Sequence, residues 1–293
     1  MSHEETFRPR RSVLYMPASN ERALAKAATL PCDGLILDLE DAVAPDAKEV
    51  AREQACAAVG NFGRREVTIR VNGIGTPWHD DDFAAVCAAG PDALAVPKVD
   101  SAETVRELVA AMERHGAPEK TALWAMVETP KAMLRCEEIA SASDRLTVLV
   151  MGTNDLVKEL FAEHVPGREP LLAGLGMALL GARAAGVAIL DGVYNDVKNT
   201  EGFLAECEQG RRMGFDGKTL IHPGQVEGAN KAFAPSEKAI EDARGVLDAW
   251  EAGGGGGVVT YNGRLIEQLH VDSAQRILTM HEAILGLEES HQG

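Results

Sequence analysis

The chain has 293 residues, 45% of them hydrophobic, enough for one large domain or one domain with an appendage. Lys and Arg number 29 against 45 Asp and Glu, a net charge of −16. That excess of acid argues against a nucleic-acid partner or an anionic membrane surface, and any anionic ligand would need a local basic patch. No stretch approaches the roughly 18 apolar residues of a membrane span, and Met1-Ser-His-Glu-Glu lacks signal-peptide character. The five cysteines, Cys32, Cys56, Cys87, Cys136 and Cys207, are odd in number and form no CxxC. They read as small buried hydrophobes in a reducing, cytoplasmic compartment.

Residues 1–10 are polar and expected to be loose. Ser12 to Met16 reads as a strand, and Asn20 as the cap of a helix over Glu21 to Ala28. Gly34 to Leu39 is a second strand, closed by Glu40-Asp41, and Pro45 opens a helix to about Val59. Glu66 to Val71 and Ala93 to Pro97 are the third and fourth strands, the latter followed by Lys98 and a helix over Ala102 to His115. The fifth strand ends at Glu128; about one helix later, a sixth apolar run leads into Gly152-Thr-Asn-Asp155. Val187 to Asp191 is the seventh strand and Lys218 to Ile221 the eighth, after helices over Leu171 to Ala185 and Glu201 to Met213.

Eight strand-helix units in succession fit an α/β fold, a closed (β/α)₈ TIM barrel over residues 11–233. Residues 234–293 read as a C-terminal extension: a helix over Pro235 to Glu251, a flexible linker Gly253 to Gly257, a hairpin turning at Asn262-Gly263, and a helix over Val271 to Leu285. Such a segment can act as a lid on its own barrel, serve a neighbouring subunit, or be a passive tail.

In a barrel the residues after the strands form one ring on the face where active sites lie. Here that ring holds Tyr15, Glu40, Asp41, Arg70, Asn72, Lys98, Glu128, Asp155, Asp191 and His222. Glu128 and Asp155 end successive apolar runs. Two converging carboxylates need a proton or a cation between them, and Mg²⁺ or Mn²⁺ suits their hard oxygens; each alone also fits a helix cap. Arg70 suits bidentate capture of a carboxylate or carbonyl oxygen, or a salt bridge to Glu40 or Asp41. Glu40 and Asp41 would bind metal-bound water or neutralise Arg70. Asn154 would orient a ligand or cap its turn. Arg22 and Lys26, four apart on one helix, form a phosphate patch with Arg11 and Tyr15, or only a solvated face. Ile221-His222-Pro223 precedes a helix N-terminus that can hold an anionic or amide-rich ligand, or His222 is structural. No dinucleotide, P-loop, zincin or GxSxG motif occurs.

Seven motifs carry a resemblance over about residues 11 to 285: R-S-V-L-Y-M-P (11–17), L-D-L-E-D-A-V (37–43), I-R-V-N (69–72), P-K-V (97–99), V-E-T (127–129), M-G-T-N-D-L (151–156) and G-F-D-G-K-T-L-I-H-P (214–223). In this order they resemble the citrate lyase β-subunit-like branch of the HpcH/HpaI aldolase family, and within it the group acting on malyl-CoA. The resemblance implies a (β/α)₈ barrel with a C-terminal lid, assembled as a trimer or hexamer. It implies Mg²⁺ on Glu128 and Asp155, with Arg70 holding substrate oxygens beside it. Tyr15, Arg22 and Lys26 would contact coenzyme A, and Ile221 and His222 would line the substrate site. The family's lyases bring an Asp from a neighbouring lid, in a motif like I-D-x-P. Here Glu267 replaces that Asp in Leu265-Ile266-Glu267-Gln268, without the Pro. The departure favours Glu267-assisted hydrolysis of a 3-hydroxyacyl-CoA thioester, (3S)-malyl-CoA foremost. Carbon–carbon cleavage, or action on an acyl-carrier partner, is the alternative.

Overall fold

The computed structural model describes residues 7–254 and 258–292. Residues 1–6 and Gly255 to Gly257, on which the expected loose terminus and most of the glycine linker fall, lie outside the described residues, as does Gly293. The chain divides into two compact units, one spanning Arg10–Phe233 and one containing the described residues after it.

The first unit is a closed parallel barrel of β1 (Ser12–Pro17), β2 (Gly34–Asp38), β3 (Glu66–Arg70), β4 (Ala93–Val96), β5 (Ala122–Val127), β6 (Leu146–Met151), β7 (Ala188–Asp191) and β8 (Gly217–Leu220), in sequence order. Pairing of β1 with β8, Val13 beside Thr219, closes it. The helices are α1 (Glu21–Ala27), α2 (Lys48–Ala58), α3 (His79–Ala89), α4 (Ala102–Arg114), α5 (Pro130–Met133), α6 (Cys136–Ala140), α7 (Thr153–Glu159), α8 (Leu172–Ala185), α9 (Thr200–Met213) and α10 (Val226–Phe233). Strand alternation separates two apolar layers. Val13, Ile36, Ala95, Trp124, Val148 and Leu190 fill the barrel. Leu14, Leu35, Ile69, Leu94 and Leu149 face the helices, and burial of each such side chain contributes about 1.5–3 kcal/mol. All five cysteines are free, and all but the half-buried Cys56 are buried.

Local sequence explains the boundaries. Asn20, Ser101, Thr129 and Asn199 each accept a backbone N–H at a helix start. Gly90, Gly186 and Gly214 end α3, α8 and α9 in the left-handed conformation. Helix α3, which the sequence reading left unassigned, begins in Asp80-Asp81-Asp82, acids suited to a helix N-terminus. The single helix expected between the fifth and sixth strands is two short ones, α5 and α6.

Ion pairs close the barrel at the N-terminal ends of its strands. Arg11 makes two bonds to Asp33, at 2.9 and 2.8 Å, and Arg10 makes two to Glu66, at 2.6 and 2.9 Å. The Arg10 guanidinium lies 5.7 Å from the Trp124 ring centroid. Arg145 caps the carbonyls of Thr121 and Pro118. Asp191 turns away from the C-terminal rim into a second buried network, a correction to its place in the ring. Its carboxylate accepts from Arg168 at 2.6 Å and Lys218 at 3.0 Å, and Lys218 also reaches Glu206 at 2.7 Å. Asp191 and Lys218 are both 0% exposed, and a side chain on Gly210 would crowd the Asp191 carboxylate.

The second unit holds α11 (Glu237–Ala252), the antiparallel pair β9 (Val259–Tyr261) and β10 (Arg264–Ile266), and α12 (Gln268–Gln292). Asn262 and Gly263 both take positive φ, 49° and 74°, as a two-residue hairpin turn requires. Helix α12 is longer at both ends than the expected Val271 to Leu285.

Removing one partner from a buried ion pair leaves an uncompensated charge. Asp191→Ala is therefore expected to destabilise the first unit by about 3–5 kcal/mol in urea unfolding. Glu208→Ala, which removes a partner of the exposed Arg211 and Arg212, should change it by less than about 1 kcal/mol.

Candidate active site

The C-terminal face of the barrel is organised by Asp38, the last residue of β2. Register places it beside Arg70, the last residue of β3. The guanidinium meets the carboxylate fork to fork: Nε to Oδ1 and Nη2 to Oδ2, both 2.6 Å. The same carboxylate accepts the backbone N–H groups of Glu40 and Ala42, at 2.9 and 3.0 Å. One residue thus fixes both Arg70 and the loop after β2. Buried Lys48 pins that loop from the other side, donating to the carbonyls of Leu39 and Glu40 at 2.7 and 2.6 Å.

Arg70 Nη1 faces Glu40 at 2.9 Å and Asp41 at 3.6 Å, and the guanidinium lies 4.8 Å from the centroid of the Tyr15 ring. Burial pushes the Glu40 carboxyl up to about 8, outweighing Arg70, whose charge Asp38 already shares. Burial likewise raises the Tyr15 hydroxyl well above its ordinary value, so it is a neutral donor here.

Glu128, directly after β5, is 3% exposed. Its Oε1 accepts the backbone N–H of Lys98 at 2.8 Å. Its carboxylate lies across Gly152, where any Cβ would overlap Oε2, so the glycine before α7 is what admits it. Asp155, in the first turn of α7, is the nearby acid: burial first, then the Asp155 charge, raises Glu128 to about 7. The ammonium of Lys98 reaches Asp155 Oδ1 at 3.2 Å. Lys98 itself has φ 55°, a left-handed conformation unusual for a side-chain-bearing residue.

The structure therefore gathers Tyr15, Glu40, Asp41, Arg70, Glu128 and Asp155 on one rim. Arg22 and Lys26 are exposed on α1, Arg22 in its first turn. Arg11 does not join them. It precedes β1, four residues and about 13 Å along the strand from Tyr15, and Asp33 occupies its guanidinium. Ile221 is partly exposed after β8, and His222 accepts the Gly224 N–H at 3.1 Å as a cap. Asn154 exchanges amide hydrogen bonds with Asn195, at 3.2 and 2.7 Å. Asn72 is also withdrawn from the rim, bonding Asp82 and the Leu39 carbonyl. Glu267 lies in the second unit, just after β10, its backbone N–H donating to His270 Nδ1 at 3.0 Å. Asp38, Lys98 and Gly152 carry roles the sequence reading did not assign. The signal for Asp38 was present, since an acid inside the run G-L-I-L-D-L needs a buried cation.

A sequence profile described as HpcH/HpaI aldolase/citrate lyase matches residues 11–223, and one described as a C–C bond lyase of the TIM-barrel fold matches residues 175–284. A protein of Cereibacter sphaeroides named (3S)-malyl-CoA thioesterase is 48% identical, over 97% of this chain and 98% of its own length. The citrate lyase β subunit of Escherichia coli is 35% identical, over 96% of each. The crystal structure of CitE from Mycobacterium tuberculosis in complex with magnesium, acetoacetate and coenzyme A superposes with a TM-score of 0.74 at 28% identity, covering 94% of this chain and 97% of that one. The chain belongs to the HpcH/HpaI aldolase/citrate lyase family.

Two predictions follow from this geometry. Gly152→Ala should evict the Glu128 carboxylate and, on the expectation that Glu128 holds a divalent cation, weaken binding of that cation about 10- to 100-fold, measured by calorimetry. The second concerns pH without metal. Glu40 has a folded value raised above its ordinary one, so the folded state holds its proton longer; its contribution to stability is lost as pH rises towards about 8. In EDTA, Glu40→Gln should flatten the fall in melting temperature between about pH 5 and 8.

Proposed function

We propose that the chain is a divalent-metal-dependent enzyme that hydrolyses a 3-hydroxyacyl-CoA thioester, foremost (3S)-malyl-CoA, to malate and coenzyme A. The observation that carries the reading is the 48% identity, along nearly the whole chain, to proteins bearing that name. The site chemistry supports it. Glu128 and Asp155 form an all-oxygen pair whose mutual repulsion a dication relieves. Among the described residues no third His, Cys, Asp or Glu completes a metal cluster. That donor set suits Mg²⁺, which takes one or two carboxylates and fills its other positions with water and substrate oxygens; Mn²⁺ would also serve.

When bound, the ion supplies Lewis-acid polarisation of substrate oxygen. Glu128 and Asp155 would hold it. Arg70, aimed by Asp38, neutralises negative charge on the acyl oxygens. Tyr15, Arg22 and Lys26 would contact the coenzyme A moiety, and Ile221 and His222 would line the acyl site; Glu40 and Asp41 would accept hydrogen bonds from water held by the ion. Glu267, in a C-terminal lid contributed by a neighbouring subunit of a trimer or hexamer, takes a proton from water as its oxygen bonds to the thioester carbonyl carbon. The carbon–sulfur bond then breaks, and the thiolate leaves and is protonated. Free thiols throughout fit a reducing cytoplasm. Among the described residues no helix is long and apolar enough to cross a membrane.

The second reading is carbon–carbon cleavage, favoured by the 35% identity to citrate lyase β subunits. In it the base takes the substrate hydroxyl proton, giving glyoxylate and acetyl-CoA. The test incubates the purified protein with (3S)-malyl-CoA and Mg²⁺ and scores free thiol and glyoxylate separately. Thiol without glyoxylate is the expected result; glyoxylate without thiol would establish the lyase instead. Glu267→Gln should lower kcat by about 100-fold or more while Mg²⁺ affinity is unchanged.

A further inference from the structure

Lys98 touches both candidate metal ligands, by different means. Its backbone N–H donates to Glu128 Oε1 at 2.8 Å, and its ammonium pairs with Asp155 Oδ1 at 3.2 Å, reaching from the end of β4 past β5 to the first turn of α7, the helix after β6. The residue holds a left-handed φ of 55°, a conformation that costs free energy in any residue but glycine and is retained only where the surroundings impose it. The acids around the ammonium are Asp155, Glu128 and Glu40. A separate pair, Lys131 with Asp100 at 2.9 Å, joins the segment after β4 to α5. The Lys98 side chain is 49% exposed, so it can swing into solvent with little loss of packing.

We infer that Lys98 is a positioning residue with an exchangeable charge: its ammonium balances Asp155 until a divalent cation displaces it, while its backbone N–H keeps Glu128 aimed throughout. This rests on the metal-dependent reading of the site. The exchange lowers metal affinity, because the incoming ion must break an ion pair, and it keeps the two carboxylates from repelling each other when no metal is bound. The released ammonium stays beside the rim as a mobile positive charge for an anionic substrate.

The direction of the effect separates this role from a merely structural one. Lys98→Met and Lys98→Gln keep the backbone donor and remove the charge. Titrated with Mn²⁺ alone and followed by electron paramagnetic resonance, both should bind about five- to tenfold more tightly than the wild type, as expected for removing a competing charge at a part-exposed site. Lys98→Arg should keep the wild-type affinity. In EDTA the charge-removed variants should melt below the wild type, and saturating Mg²⁺ should close that gap. Unchanged or weaker Mn²⁺ binding in both Lys98→Met and Lys98→Gln would overturn the inference while leaving the metal site standing. Absence of Mn²⁺ binding by the wild type would overturn the inference and the metal-dependent reading together.

Discussion

The bidentate pair between Arg70 and Asp38 is the interaction on which the site depends. Neither group is tolerable alone at that depth, since a guanidinium or carboxylate withdrawn from water without a partner costs several kcal/mol. Together they satisfy each other at 2.6 Å, and the carboxylate has lone pairs left for two backbone N–H groups. The loop carrying Glu40 and Asp41 is therefore shaped by the same residue that aims Arg70. Arg70 in turn presents one amino group towards the rim and one face to Tyr15. One guanidinium is thereby held at a fixed place among the acids of the rim.

The acid pair works by the opposite logic. Glu128 is buried and Asp155 lies beside it, so the charged state of Glu128 is costly. Gly152 makes room for one carboxylate and Lys98 restrains both. The arrangement fixes the place of both carboxylates, as the proposed metal site would require.

The barrel was legible because eight apolar runs alternate with capped helices, and because polar residues collect where those runs stop. Glu128, Asp155 and Arg70 were legible for the same reason. What periodicity cannot reveal is direction. Asp191 and Asn72 also end strands, yet they turn into packing beside the rim, decided by Lys218 on the next strand and Asp82 on the next helix. Arg11 looked like a partner of Tyr15 because the two are close in sequence, but a strand carries its first and last residues to opposite ends of the barrel. Asp38 and Lys98 escaped assignment because their meaning lies in register and backbone conformation, and Gly152 because its function is the volume it leaves empty. Helix α3 escaped because its acidic start reads as loop.

The ring of arginine pairs at the N-terminal ends of the strands has an evolutionary reading. Arg11 with Asp33, Arg10 with Glu66 and Arg145 with its carbonyls hold the cylinder closed at the end remote from the chemistry. Loops at the opposite end can then lengthen, shorten or exchange residues without loosening that clasp. A lineage built this way can sample new acyl groups at low risk to foldedness. An engineer can exploit the same separation, reinforcing the closed end first and spending the gained tolerance on the specificity loops.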